Sequence, residues 1–127
     1  MTTPWAIRIV IADPHLRVRD LLASLVAEAE DIRVVAETAA TQDTMVAIER
    51  ERPDVLLLDQ DLADPGAIAA LKSTQELGDT KIVVLVTYPE HCLDALVSGA
   101  SDCLMKDSSA VQLLGAIRGA YLERPFS

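Results

Sequence analysis

The sequence has few aromatic residues and no long apolar run. Half of its 127 residues are hydrophobic, yet only four are aromatic: Trp5, Tyr88, Tyr121 and Phe126. The core must therefore be built from aliphatic side chains. The longest apolar runs, such as residues 55–58 and 82–86, are far shorter than the roughly 20 residues that a membrane helix needs. The start of the chain also lacks a basic segment followed by a long apolar stretch, so we expect no secretory signal and a cytoplasmic location.

Positive charge and cysteine are also scarce. Eleven Lys and Arg residues oppose twenty Asp and Glu residues, which gives a net charge of −9. A field of that sign repels nucleic acid and anionic lipid headgroups. The two cysteines, Cys92 and Cys103, do not form a C-x-x-C pair, and in a cytoplasmic protein we expect reduced, buried and inert thiols. The sequence leaves open whether they respond to oxidants.

Short apolar runs alternate with amphipathic segments along the whole chain. Five runs rich in Val, Ile and Leu have the length of strands, and the third and fourth are continuous enough for burial on both faces. Strict alternation of strands and helices predicts an α/β fold with one five-stranded parallel sheet, doubly wound by right-handed crossovers, as in flavodoxin-like proteins. The predicted strands are residues 6–12, 32–36, 55–58, 81–86 and 102–105.

Local signals place several helix ends. Ser109 followed by Gln112 is a capping-box pattern at the start of the fifth helix. Proline is predicted at the first position of the third and fourth helices, and Gly99 is predicted to end the fourth. The expected buried face of the fifth helix carries Val111, Leu114, Ile117 and Tyr121.

Polar residues follow four of the predicted strands. They are Asp13, the pair Asp59 and Asp61, Thr87 and Lys106. The carboxyl ends of parallel strands share one edge of the sheet, where ligands of this fold class bind. Clustered carboxylates suit Mg²⁺, one carboxylate can act as a nucleophile toward a phosphoryl group, and a lysine and a hydroxyl can donate to phosphoryl oxygens.

At this point the chain resembles the receiver domains of bacterial two-component response regulators, of the NarL/LuxR type. The resemblance implies that Asp59 is the phosphoacceptor, Asp13 one of two acidic residues at a Mg²⁺ site, Thr87 the switch hydroxyl and Lys106 the phosphate-binding lysine. It also implies that the backbone carbonyl of Asp61 is a Mg²⁺ ligand. The segments that carry it are residues 9–15 (IVIADPH), 52–59 (RPDVLLLD), 82–87 (IVVLVT), 98–107 (SGASDCLMKD) and 113–118 (LLGAIR).

The chain departs from the family pattern at the site itself. Pro14 stands where the family has a second acidic residue that binds Mg²⁺ directly, so we expect weak Mg²⁺ binding or none; the Asp61 side chain could supply an oxygen instead, whereas His15 is a poor Mg²⁺ ligand. Tyr88 stands where most members have a small residue, and its ring either covers Asp59 or points to solvent. Cys103 replaces the aromatic residue that completes the family's switch.

Two readings of the function remain open from the sequence. In the first, the chain is the regulatory receiver of a transcription regulator, and a sensor histidine kinase phosphorylates Asp59. In the second, it is an atypical receiver that binds proteins or ligands, or dimerises, without phosphorylation. Neither makes it an enzyme beyond Mg²⁺-dependent self-phosphorylation and dephosphorylation at Asp59. A nucleotide-dependent enzyme has little support, because the sequence contains no glycine-rich phosphate-binding motif.

The remaining predictions concern organisation. We expect a receiver domain over residues 1–122 and, over residues 123–127, a tail or the start of a linker to a helix-turn-helix domain that the sequence does not contain. DNA binding would depend on that domain. Relatives often pair through their first and last helices, and small residues in the fifth helix would allow a close approach in a homodimer. They are Gly115, Ala116, Gly119 and Ala120.

Overall fold

Five parallel strands form one sheet in the order β2-β1-β3-β4-β5, as the alternating sequence pattern predicts. The structure is a computed structural model that describes residues 6–74 and 77–123. Trp5, Phe126 and most of the predicted tail lie outside the described residues. The strands are β1 Ile7–Ala12, β2 Ile32–Thr38, β3 Val55–Asp59, β4 Lys81–Val86 and β5 Asp102–Met105.

Each strand is followed by a helix. A short 3₁₀ turn, Gln60–Leu62, lies between β3 and the third helix. None of the helices in the described part of the chain has the length and apolar composition of a membrane span. The helices are α1 Leu16–Ala27, α2 Thr41–Glu51, α3 Pro65–Ser73, α4 Glu90–Val97 and α5 Ala110–Leu122.

The core consists of two aliphatic clusters, one on each face of the sheet. Along β3, Leu56 and Leu58 belong to the cluster that includes Ile68 of α3, whereas Leu57 belongs to the cluster that includes Ile117 of α5. Successive side chains of a strand point to opposite faces, and both faces are covered. This arrangement explains why the β3 sequence is a continuous apolar run, and all five of its residues are buried.

The buried face of α5 agrees with the predicted one at Ile117, Leu114 and Tyr121, which belong to or pack against the core cluster, but not at Val111. Val111 is 81 % exposed, and the fully buried positions are Leu113, Ile117 and Ala120. Apolar residues also occupy neighbouring positions, so a spacing of three or four residues fits two overlapping faces and cannot choose between them. The capping box at Ser109 and Gln112 is confirmed: the Ser109 side chain accepts from the Gln112 N–H at 3.1 Å, and the Ser109 N–H donates to Gln112 Oε1 at 2.9 Å.

The predicted boundaries of α3 and α4 hold to within one residue. Helix α3 begins at Pro65, and Asp64 Oδ1 accepts a hydrogen bond from the Ala67 N–H at 2.8 Å. Helix α4 begins at Glu90, one residue later than predicted, with Pro89 as its N-cap. Gly99 follows α4 with a φ of +117°, a backbone conformation that side chains disfavour. The turn after α4 therefore depends on this glycine.

Candidate functional site

The carboxyl edge of the sheet carries the polar residues that the sequence singles out. Asp13 follows β1, Asp59 ends β3, Thr87 follows β4 and Lys106 follows β5. The side chains of Asp13 and Asp59 are almost completely buried, each residue being 1 % exposed. Buried carboxylates need cations or hydrogen-bond donors to offset their lost hydration. The stability of these two buried carboxylates therefore depends on the groups that surround each of them.

Both oxygens of Asp59 are contacted, although Oδ1 has an ion pair and no hydrogen bond. The Lys106 ammonium contacts Asp59 Oδ1 in an ion pair, and Asp59 Oδ2 accepts a hydrogen bond from the Asp61 N–H at 3.0 Å. Lys106 is itself only 24 % exposed at its side chain, which strengthens the interaction relative to one in bulk water. A cation beside a carboxylate at a sheet edge can neutralise an incoming phosphoryl group as well as the carboxylate.

Asp13 is contacted mainly by His15. The backbone N–H of His15 donates to Asp13 Oδ1 at 2.8 Å, and Nδ1 of the His15 ring lies 2.9 Å from the same oxygen. His15 Nε2 lies 3.5 Å from Asp61 Oδ2, so the ring lies between two carboxylates. From the sequence, His15 is expected only to be a poor Mg²⁺ ligand, and these contacts are not predicted. The signal was present, since a residue two positions after an aspartate can fold back onto its carboxylate.

The other oxygen of Asp13 has no partner. Asp13 Oδ2 is buried and makes no hydrogen bond within the described residues. Ligand atoms of Asp13, His15 and Asp59 all lie within 4.8 Å of one another. A divalent cation bound here would give this oxygen a partner and would reduce the repulsion between the two buried carboxylates.

The site offers few oxygen ligands for Mg²⁺. Mg²⁺ prefers oxygen ligands and retains several waters, so one or two carboxylates suffice when phosphate oxygens complete the set. Asp13 and Asp59 would hold the ion, whereas exposed Pro14 offers no carboxylate. The Asp61 side chain is half exposed and lies beside His15. When bound, the ion would neutralise negative charge on the phosphoryl group.

Thr87 is held by Gln60, a contact that the sequence does not predict. The Gln60 side chain accepts from the Thr87 N–H at 2.9 Å and donates to Thr87 Oγ1 at 3.2 Å. His91 Nδ1, at the start of α4, lies 3.3 Å from Gln60 Oε1. Gln60 directly follows Asp59, and its side chain thus links the end of β3 to the residue after β4 and to α4. Its position next to the candidate phosphoacceptor is the feature of the sequence that could have indicated a role at the site.

Tyr88 points toward solvent, which is one of the two alternatives that the sequence left open. The residue is 56 % exposed, and its ring packs edge-on against the His91 ring with centroids 5.9 Å apart. Tyr88 therefore presents an exposed aromatic ring just before α4.

The expectation of reduced, inert thiols at Cys92 and Cys103 is wrong in this structure. The two residues form a disulfide that joins α4 to β5, with their Cα atoms 5.5 Å apart. Both are partly buried and pack against the core cluster. Helix α4 lies over the sheet next to β5 and brings together cysteines that are 11 positions apart. Spacing in the sequence does not reveal such a pairing, because it requires the helix to be placed on the strand.

Comparisons with known proteins agree with this geometry. Residues 9–118 match the family described as the response regulator receiver domain. The chain belongs to this family. It is 37 % identical over 110 residues to the uncharacterized transcriptional regulatory protein YhcZ of Bacillus subtilis, covering 84 % of this chain and 51 % of the relative. It is 36 % identical over 118 residues to the oxygen regulatory protein NreC of Staphylococcus epidermidis, covering 90 % and 54 %.

Solved structures show the same fold. The signal receiver domain of a NarL response regulator from Mycobacterium tuberculosis superposes with a TM-score of 0.84 at 24 % identity, covering 95 % of this chain and all of the other. A LuxR-family two-component response regulator from Aurantimonas sp. SI85-9A1 gives a TM-score of 0.82 at 25 % identity, covering 94 % and 87 %. The chain spans about half the length of the curated relatives it matches. It is a receiver domain of a response regulator, which is a regulatory domain.

Proposed function

We propose that Asp59 accepts a phosphoryl group from a sensor histidine kinase, with Asp13, Thr87 and Lys106 as the supporting residues. The observation that carries this proposal is the buried Asp59 carboxylate in contact with the Lys106 ammonium at the carboxyl edge of the sheet. A structural ion pair alone would not require a second buried carboxylate, Asp13, with an unpartnered oxygen beside it. These features together support phosphoryl transfer.

The chemistry follows from the position of each side chain. An Asp59 carboxylate oxygen attacks the phosphorus atom, an acyl phosphate bond forms, and the bond to the histidine nitrogen of the kinase breaks, with its electron pair remaining on that nitrogen. Lys106 stays close to the transferred group and donates to its oxygens. The Thr87 hydroxyl reaches the group after it turns away from Gln60, which now holds it. Asp13 would hold a divalent cation, which would neutralise negative charge on the phosphoryl group.

We propose that the cation site is weak because of Pro14. Loss of even an indirect partner of a metal ligand lowers metal affinity by about 10- to 100-fold, and Pro14 removes a direct carboxylate ligand that the family carries. The backbone carbonyl of Asp61 would be a further ligand, and its side chain would offer a second oxygen. Phosphorylation of this chain therefore requires more Mg²⁺ than a receiver with both acidic residues.

The proposed organisation of the whole protein follows from its relatives. The chain covers about half of YhcZ, which is described as a transcriptional regulatory protein. We place a receiver over residues 1–122 of this chain and a linker from residue 123 to a DNA-binding helix-turn-helix domain. The protein acts in the cytoplasm, where a kinase and DNA are accessible. It forms a homodimer through α1 and α5, whose exposed faces include Leu21 and the small residues Gly115 and Gly119.

Intact mass spectrometry with a small phosphodonor tests the function. We expect the addition of one phosphoryl group, increasing across a Mg²⁺ titration and absent from Asp59→Asn. Asp107→Asn, which changes an exposed aspartate one residue after Lys106, is the matched control and should be phosphorylated like the natural chain. An unchanged mass at every Mg²⁺ concentration would overturn the proposal and favour a receiver that acts without phosphorylation.

A further inference from the structure

The disulfide between Cys92 and Cys103 connects β5 to α4, a helix that buries few apolar side chains. Helix α4 has eight residues, and only Ala95 among them is fully buried. Three of its apolar residues are exposed, namely Leu93, Leu96 and Val97, at 67 %, 45 % and 79 %. Its N-cap, Pro89, makes no side-chain hydrogen bond. A covalent bond to β5 is therefore a large part of what holds this helix against the sheet.

Helix α5 shows what a well-anchored helix of this fold has instead. It buries Leu113, Ile117 and Ala120 and begins with a complete capping box. Elements with few buried apolar contacts open locally at low free energy. Without its disulfide, α4 has the features of such an element, whereas α5 does not.

We propose that Cys92 and Cys103 are a thiol–disulfide exchange site that accepts a dithiol as reductant, and that this exchange reversibly clamps and releases α4. Neither cysteine belongs to the fully buried core, and both are partly buried residues at its edge. Disulfides in cytoplasmic proteins are usually transient or redox-sensing. The inference uses the cytoplasmic location proposed above but does not depend on phosphorylation of Asp59.

A dithiol reduces the disulfide and is itself oxidised to a cyclic disulfide. One thiolate of the reagent attacks a sulfur of the pair, the bond between Cys92 and Cys103 breaks, and a mixed disulfide forms. The second thiol of the reagent then attacks its own sulfur in the mixed disulfide, the bond to the protein sulfur breaks, and the reagent is released as a cyclic disulfide. Two electrons pass to the protein, which takes up two protons to give two thiols. A low-molecular-weight disulfide such as oxidised glutathione reverses the reaction.

Both ends of the clamp lie next to the candidate site. Cys92 follows His91, which contacts the Gln60 side chain that holds Thr87. Cys103 lies in β5, three residues before Lys106. Release of α4 therefore acts on the segment that carries the partner of Gln60, close to the proposed phosphoryl site.

Alkylation followed by intact mass measurement tests the exchange. After incubation of the folded chain with oxidised glutathione, iodoacetamide should add no group. After dithiothreitol it should add two, and a second incubation with oxidised glutathione should return the chain to none. Two alkylated thiols in the oxidised sample would overturn the proposal, and so would a disulfide that native dithiothreitol does not reduce.

Hydrogen exchange measures the clamp itself. We expect reduction to accelerate amide exchange in α4 by about tenfold or more while leaving α2 and α5 within about twofold. Dithiothreitol should have no effect on a Cys92→Ser/Cys103→Ser chain, and this control separates release of the clamp from other actions of the reagent. Equal α4 exchange in the oxidised and reduced natural chain would overturn the proposal without affecting phosphorylation of Asp59, and that measurement needs no variant to fold.

Discussion

The two halves of the candidate site differ in how closely they follow the family. The acceptor half (Asp59, Thr87, Lys106) keeps all of its expected residue types, and Lys106 contacts the Asp59 carboxylate. The cation half (Asp13, Pro14, His15) keeps only its first carboxylate, with a histidine ring against it. Both halves occupy the same edge of the sheet. Strand order places the residues, but short turns after the strands decide which groups surround each carboxylate.

The strongest test of the acceptor half is the removal of its cation. We expect Lys106→Met to lower the rate of Asp59 phosphorylation by a small phosphodonor by about 100- to 1000-fold, since one preorganised donor to developing charge is worth that much. Rates from the mass of the phosphorylated chain measure the effect. Lys81→Met removes a lysine at the start of β4, at the edge of the sheet away from the site, and should leave the rate unchanged. A loss below about tenfold would show that the ion pair is only structural.

The fold was predictable because its signals are repeated along the chain. The pattern predicted all five strands to within two residues at each end, and β3 in particular, because burial on both faces demands continuous apolar sequence. The exposed Val111 escaped prediction. Helical spacing identifies an apolar stripe, but the sheet and the neighbouring helices decide which of two adjacent stripes is buried.

The candidate site was predictable in part. Topology brings the ends of β1 and β3 together, and that was sufficient to expect Asp13 beside Asp59. The contacts of Gln60, His15 and the cysteine pair depend on side-chain directions in turns and on the placement of α4 over β5. No periodicity records these features. In both halves, strand order predicts which residues reach the sheet edge, whereas turn geometry decides their contacts, those of Gln60 with Thr87 and of His15 with Asp13.

A carboxylate at position 14 should make the cation half resemble the family as closely as the acceptor half does. We expect Pro14→Asp to tighten Mg²⁺ binding by about 10- to 100-fold, or about 1.4 to 2.7 kcal/mol, measured by calorimetric titration. Pro14→Ala removes the proline ring without adding a carboxylate and should stay within about twofold of the natural chain. Equal gains in both variants would mean that the proline ring, not the missing oxygen, weakens the site.

Gln60 ties the acceptor half together, and its removal should have a moderate effect. Gln60→Ala removes the two hydrogen bonds to Thr87 and should lower the free energy of unfolding by about 0.5 to 1.5 kcal/mol, measured by urea denaturation. Gln42→Ala, in an exposed position of α2, is the matched control. If the two variants are equally stable, the Gln60 contacts contribute nothing in solution.

The smallest expected effect lies outside both halves. Asp31 precedes β2 and forms two hydrogen bonds with Arg118 of α5, at 2.7 and 2.8 Å. These bonds lower the pKa of Asp31, against a smaller opposing effect of burial. A carboxyl with a lowered pKa in the folded state adds stability above its unfolded pKa of about 4, and that stability is lost as pH falls through the folded pKa.

We therefore expect Asp31→Asn to be slightly less stable than the natural chain at neutral pH, with a difference that shrinks as the pH falls below about 4. Urea denaturation at a series of pH values measures it. Because both side chains are substantially exposed, the difference should also shrink in high salt. Asp59 phosphorylation should be unaffected. A change in that rate would mean that the two halves are coupled to α5, and that their difference is not confined to the turns after the strands.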